Sequence, residues 1–238
     1  MLKLVGSHEL EIHSFLSSVK SRDNHTIPIL HEIALNRKTV VVMPDELVLR
    51  YVANSVFETS GADLASQFLA GVRFMHHENV AHLDLKPDNV LVTLRPRALL
   101  RICDYDISVR VAGPESWTTG YRGTPGWAAP EISKETSKPY QPIRADLWST
   151  GRVLEYIAYH QPAYTIFRGI IQRLLHRDPL QRPDLSKICL PYEGHGQLKR
   201  KASVEKGEVK RRRKHPGYQV VVPNILASAQ AYLLHNTR

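Results

Sequence analysis

The stretch that most constrains this chain lies between residues 62 and 103, where a long apolar stripe gives way to a charged octapeptide and then to two apolar runs. Over 62–79, Leu64, Phe68, Leu69, Val72, Phe74 and Met75 recur at helical spacing, which predicts an amphipathic helix. His82-Leu83-Asp84-Leu85-Lys86-Pro87-Asp88-Asn89 follows, and NVLVTL and ALLRIC after it read as strands. Upstream, Leu10, Ile12, Phe15, Leu16 and Val19 predict a helix over 8–20. The runs IPILHEIAL (27–35) and KTVVVM (38–43) read as a β-hairpin turning at Asn36 and Arg37. Residues 104–131 show little periodicity, and helices are expected over 145–159 and 165–176, the second ended by Asp178-Pro179. Strands come early, helices late and irregular segments between, so the expected class is α+β rather than an alternating βαβ design.

The octapeptide carries the chemistry. An Asp, a Lys two residues on and an Asn three beyond supply what phosphoryl transfer needs: a carboxylate to orient the attacking hydroxyl, an ammonium for the γ-phosphate and an amide oxygen for a Mg²⁺. Taken alone, the same residues could be a polar turn between strands. The octapeptide resembles the catalytic loop H-R-D-x-K-x-x-N of the protein kinase family. That resemblance implies Asp84 as base, Lys86 as phosphate contact and Asn89 as metal ligand.

Further matches follow in the family's order. Asp104-Tyr105-Asp106 is similar to D-F-G, which implies Asp104 as the second metal ligand. Gly123-Thr124 and Ala129-Pro130-Glu131 resemble the end of the activation segment, with Thr124 bracing Asp84 and Lys86. Asp146-Leu147-Trp148-Ser149-Thr150-Gly151 resembles the helix that anchors the catalytic loop. Arg177 to Pro183 is similar to the late segment whose arginine pairs with the A-P-E glutamate, hence Arg182 with Glu131.

The resemblance covers about residues 1–190. It implies a partial β-containing N-lobe over 1–46 and a mostly helical C-lobe over 47–190, with ATP and Mg²⁺ as cofactors. Lys86 at its position resembles the serine/threonine members, so the expected activity is transfer of the ATP γ-phosphate to a protein serine or threonine. The alternative is a catalytically impaired scaffold that binds partners through the C-lobe.

The front of the domain departs from the family. Residues 1–60 hold only Gly6, so no G-x-G-x-x-G loop is present there and the N-lobe reads as truncated. Glu9 resembles the helix glutamate that pairs with the family's phosphate lysine. Lys3 is either that lysine or a solvated N-terminal one, since six residues between Lys3 and Glu9 is a short gap. Met43 falls at the gatekeeper position beside the adenine pocket; it is also a natural core methionine. Leu83 replaces the arginine that clamps a phosphorylated activation loop, so that form of switching is not expected. Asp106 replaces a glycine, which predicts a stiffer backbone beside Asp104 and a second carboxylate there, able either to help hold a cation or to misplace Asp104.

Charge is concentrated at the end of the chain. Between 199 and 214 nine Lys and Arg face only Glu205 and Glu208, seven of the nine net positive charges of the whole chain. The clusters Lys199–Lys201 and Lys210–Lys214 resemble a bipartite nuclear import signal, which implies an import receptor as partner; a phosphate-binding tail or a solvated one are the alternatives. Nucleic acid is not the expected partner of the near-neutral body. The tail is placed at 191–238, with a short helix over 224–235. Two distant cysteines, Cys103 and Cys189, fit a reducing compartment. No run approaches the roughly 20 apolar residues of a membrane span, and the first residues turn polar too early for a secretory signal. The expected location is nucleus or cytoplasm.

Overall fold

The computed structural model describes residues 1–35, 38–94, 97–133, 138–159 and 164–188, and all of these but Leu2 fall in one compact unit. The basic clusters and the helix expected over 224–235 lie outside the described residues.

The chain opens with β1 (Leu2–Val5), turns at Gly6 and enters α1 (Ser7–Ser18). Glu9, Ile12, His13 and Leu16 are the buried side of α1, spaced three and four residues apart, so one helical stripe faces inward. The expected hairpin is β2 (His31–Leu35) against β3 (Lys38–Val42), antiparallel, with Leu35 opposite Lys38. The sheet order is β1-β3-β2, which places the first strand beside the third. Val5, Ile27, Val41, Met43 and Leu91 form the small core beneath it.

A short strand β4 (Leu47–Val48) leads into α2 (Asn54–His77), which begins eight residues before the expected start at 62. Thr59, Ser60 and Gly61 are poor helix formers and hide that first part from a periodicity reading. Burial of Phe57 against the edge of the Tyr156 ring, at 6.2 Å, holds it instead. The helix ends at His77, and two residues on Asn79 has a left-handed φ of 57°, a conformation asparagine tolerates.

β5 (Val80–Ala81) then pairs with β8 (Val109–Arg110), inside the segment where no strand was expected. Two residues are too few to show a period. β6 (Val90–Thr93) and β7 (Leu99–Ile102) pair antiparallel, and β4 joins the other edge of β6.

Two helices complete the unit. α3 (Pro142–Tyr159) starts three residues earlier than expected, with Pro142 at its first position, where the missing N–H costs nothing. α4 (Tyr164–Leu174) packs on it. Gly151 permits that approach, because a Cβ there would lie 2.8 Å from Leu175 Cδ2 and 3.0 Å from Leu174 Cβ. The main core joins Leu16, Leu64, Phe68, Val72, Val153 and Phe167, so α1 and the helical half share one apolar interior. No helix among the described residues is long and apolar enough to cross a membrane. Helices and small, mostly antiparallel sheets in this order make the fold α+β, as the sequence predicts.

Two histidines are folded into this interior. His13 Nε2 donates to the Ile27 carbonyl at 2.7 Å and His25 Nδ1 to the Leu100 carbonyl at 2.9 Å. Burial lowers the pKa of each below its ordinary value, against the pull of those carbonyls. The unfolded chain therefore takes up protons near pH 6.5 that the folded protein resists. Stability present above that pH should be lost as pH falls below it. A denaturant midpoint that drops between pH 7.5 and 5.5, and drops less in His13→Leu, is the expected result; a midpoint flat across that window contradicts it.

Candidate active site

The loop between β5 and β6 is suspended from α3. Asp146, wholly buried, accepts from the His82 backbone N–H at 2.6 Å and the Leu83 N–H at 2.7 Å, and His76 Nε2 reaches it at 3.2 Å. Leu83 has a φ of 65°, an uncommon state for a bulky residue, and these bonds hold it there. Its side chain is buried with Ala129, Ile132 and Tyr140. The site that an arginine would hold charged is thus an apolar plug under the activation segment.

Below that anchor the polar side chains converge on Asp84. Thr124 Oγ1 donates to Asp84 Oδ1 at 2.6 Å, while Lys86 Nζ donates to Asp84 Oδ2 at 2.6 Å and to Thr124 Oγ1 at 2.8 Å. Asn89 spends its amide hydrogens on the Asp84 carbonyl at 2.9 Å and on Asp84 Oδ2 at 3.0 Å, so its amide oxygen is turned the other way. Gly123 makes the approach of Thr124 possible: its φ is 107°, and a Cβ would stand 2.9 Å from the Leu83 carbonyl oxygen.

A second cluster sits at the end of β1. Lys3 Nζ donates to Glu9 Oε1 and to Asp104 Oδ1, each at 2.5 Å, so Lys3 is not a free surface lysine. The short gap in sequence suffices because strand and helix meet at Gly6 and Glu9 stands in the first turn of α1. Burial lifts the Glu9 carboxyl above its ordinary pKa despite Lys3. Burial pushes Asp104 the same way, but the Lys3 hydrogen bond and the charges of Lys3, His82 and Lys86 together outweigh it and leave Asp104 below the ordinary value. Burial pulls the Lys3 ammonium down, and the bonds and charges of Asp104 and Glu9 more than reverse that.

Three rings, tilted against one another, connect the clusters. Tyr105, fully buried, lies 5.2 Å from the His13 ring and 5.2 Å from the His82 ring, and its hydroxyl donates to the Ile102 carbonyl at 2.9 Å. His82 Nε2 donates to the Cys103 carbonyl at 3.0 Å, leaving Nδ1 to accept from the Asp84 N–H at 3.2 Å. His13 was not singled out as a site residue from sequence, although it lies four residues after Glu9 on the buried stripe of α1. Asp104 has a φ of 73°; Asp106 is not among the non-glycine residues with positive φ. No glycine is therefore required at 106, where the aspartate is exposed to solvent.

Met43 is buried beside Val5, Val41 and Leu91. Glu131 and Arg182 meet in a two-pronged pair, at 2.6 and 2.9 Å. Among the described residues no group of three His, Cys, Asp or Glu side chains could hold a metal by itself. The donor set of Asn89 and Asp104, two hard oxygens with room for others, fits a Mg²⁺ that takes its remaining ligands from phosphates and water.

The family model described as protein kinase domain matches residues 14–172, more than half of the chain. Lys3 and Glu9 precede the matched range and Arg182 follows it. The calcium/calmodulin-dependent protein kinase type II of Caenorhabditis briggsae is 30% identical over 127 residues, 52% of this chain and 23% of that protein. Serine/threonine-protein kinase ULK3 of Xenopus laevis is 30% identical over 128 residues, 52% of this chain and 26% of that protein. The probable serine/threonine-protein kinase KKQ8 of Candida glabrata is 41% identical over 93 residues, 37% of this chain and 12% of that protein. The matched segments thus span about a quarter or less of these relatives.

Proposed function

Because this chain belongs to the protein kinase family, we propose that it transfers the γ-phosphate of ATP to a serine or threonine hydroxyl of a protein substrate. One observation carries the reading: Lys3 bridges Glu9 and Asp104 while Asp84 is held by Lys86, Thr124 and Asn89, with the His13–Tyr105–His82 rings between the two groups. Asp84 then accepts the hydroxyl proton and orients the attacking oxygen, and Thr124 fixes the carboxylate. Lys86 and Lys3 meet the phosphate oxygens. Met43 borders the adenine, and Glu9 keeps Lys3 in place. Asn89 and Asp104 would hold a Mg²⁺, which supplies neutralisation of phosphate charge. The basic clusters of 199–214 add, through charge alone, support for import into the nucleus.

A second reading, a scaffold with impaired catalysis, is favoured by Asp106, a second carboxylate beside Asp104. Labelled ATP, Mg²⁺ and a pool of protein substrates separate the two. Wild type should incorporate label well above Asp84→Asn and Asp104→Ala; label no higher than in those variants leaves only the scaffold. Binding of a fluorescent ATP analogue should weaken about 10–100-fold in Lys3→Met, the loss of one charge-assisted hydrogen bond.

A further inference from the structure

We propose that the Arg50–Asp88 pair sets the substrate class of this site, admitting acceptor segments with uncharged flanks and disfavouring those with arginine or lysine beside the acceptor. The inference rests on the kinase reading above. Asp88 stands four residues after Asp84, in the 3-10 turn Pro87–Asn89, with its carboxylate partly exposed. Because the next residue, Asn89, bonds the Asp84 carboxylate, a carboxylate at 88 is a natural attractor for a cationic side chain of a peptide bound at Asp84.

Arg50 already occupies it. Its Nε donates to Asp88 Oδ1 at 2.6 Å and its Nη2 to Asp88 Oδ2, the planar fork that matches both carboxylate oxygens. The Arg50 hydrogen bond holds the Asp88 carboxyl below its ordinary pKa and the guanidinium above its own. With side chains 43% and 38% exposed, the pair contributes little to folding stability. Its consequence is that the charge is spoken for.

The turn that carries Arg50 is fixed by buried Leu49, and the Tyr156 hydroxyl reaches the Arg50 carbonyl at 3.5 Å. The Tyr156 ring meets Trp127 edge-on at 6.4 Å, three residues from Thr124. Glu155, next to Tyr156 in the chain, is paired with Arg152, which lies over Trp127 and donates to the Gly126 carbonyl at 3.4 Å. Asp88 and Glu155 are therefore both bonded within the chain. A peptide guanidinium has to displace a tethered one, whose effective concentration is on the order of millimolar.

Two dye-labelled peptides with one serine each, differing in arginine or alanine before it, test this on wild type, Arg50→Ala and Arg50→Ala/Asp88→Asn. Affinity is read by fluorescence anisotropy, phosphate incorporation in parallel. The ratio of the two affinities should shift about fivefold toward the arginine peptide in Arg50→Ala, one exposed ion pair, and return in the double variant. A ratio unchanged by Arg50→Ala overturns the proposal. So does a wild type that prefers the arginine peptide as strongly as Arg50→Ala does, or the absence of measurable binding of either peptide to Arg50→Ala. If the affinity ratio shifts while neither peptide gains phosphate, the kinase reading fails and the docking inference stands.

Discussion

Asp84→Asn should lower phosphate transfer by about 10²–10⁴-fold, the range set by loss of a positioned general base. The geometry adds a structural component. Asp84 accepts from three side chains, Thr124, Lys86 and Asn89, and an amide can offer only one oxygen to them. One donor is then left facing an N–H, at about 1–3 kcal/mol. The result to look for is a collapse of labelled-phosphate incorporation with a melting temperature lowered by only a few degrees. Transfer retained to within a few-fold of wild type would remove Asp84 from the role of base. Comparison with Thr124→Ala separates the two contributions, because that change removes the Thr124 bonds to Asp84 and Lys86 and leaves the carboxylate.

Arg182→Ala should produce the largest loss of stability. The Arg182 side chain is fully buried, and besides the fork to Glu131 it donates to the Arg144 carbonyl at 2.8 Å and the His176 carbonyl at 2.9 Å. Its guanidinium carbon lies 5.3 Å from the centre of the Trp148 ring. Truncation leaves a carboxylate and two carbonyls without their partner and opens a cavity, for about 3–5 kcal/mol. A domain of this size has roughly 5–15 kcal/mol in all, so a fall in melting temperature of about 10 °C is expected. Unfolding in denaturant checks it, and a change under 1 kcal/mol would show that the fork is not holding the segment. Arg182→Met/Glu131→Leu should recover part of the loss, since removing both partners leaves no charge stranded.

Much of this was written in the sequence locally. The octapeptide His82–Asn89 carries its carboxylate, ammonium and amide within eight residues, so the resemblance to the kinase catalytic loop is legible locally. The stripe of α1 and the later part of α2 repeat over several turns and declare themselves as helices. What failed to show was short, irregular or distant. The first turns of α2 are held by one buried phenylalanine rather than by a period. The pairing of β5 with β8 involves two residues on each side. Lys3 looked too close to Glu9 until the turn at Gly6 brought strand end and helix start together. Arg50 and Asp88 lie 38 residues apart, with no pattern linking them.

The sequence by itself determined the resemblance to the protein kinase family, the α+β class and the residues proposed to move a proton or meet a phosphate, because those rest on residue type and local spacing. Only the tertiary structure decided the charge pairs that no motif announced: Lys3 with Asp104 as well as Glu9, and Arg50 with Asp88. A charge interacts across a few ångströms of space whatever its separation along the chain. Where no motif points to it, the partner that neutralises a charge therefore becomes known only when the backbone has been folded.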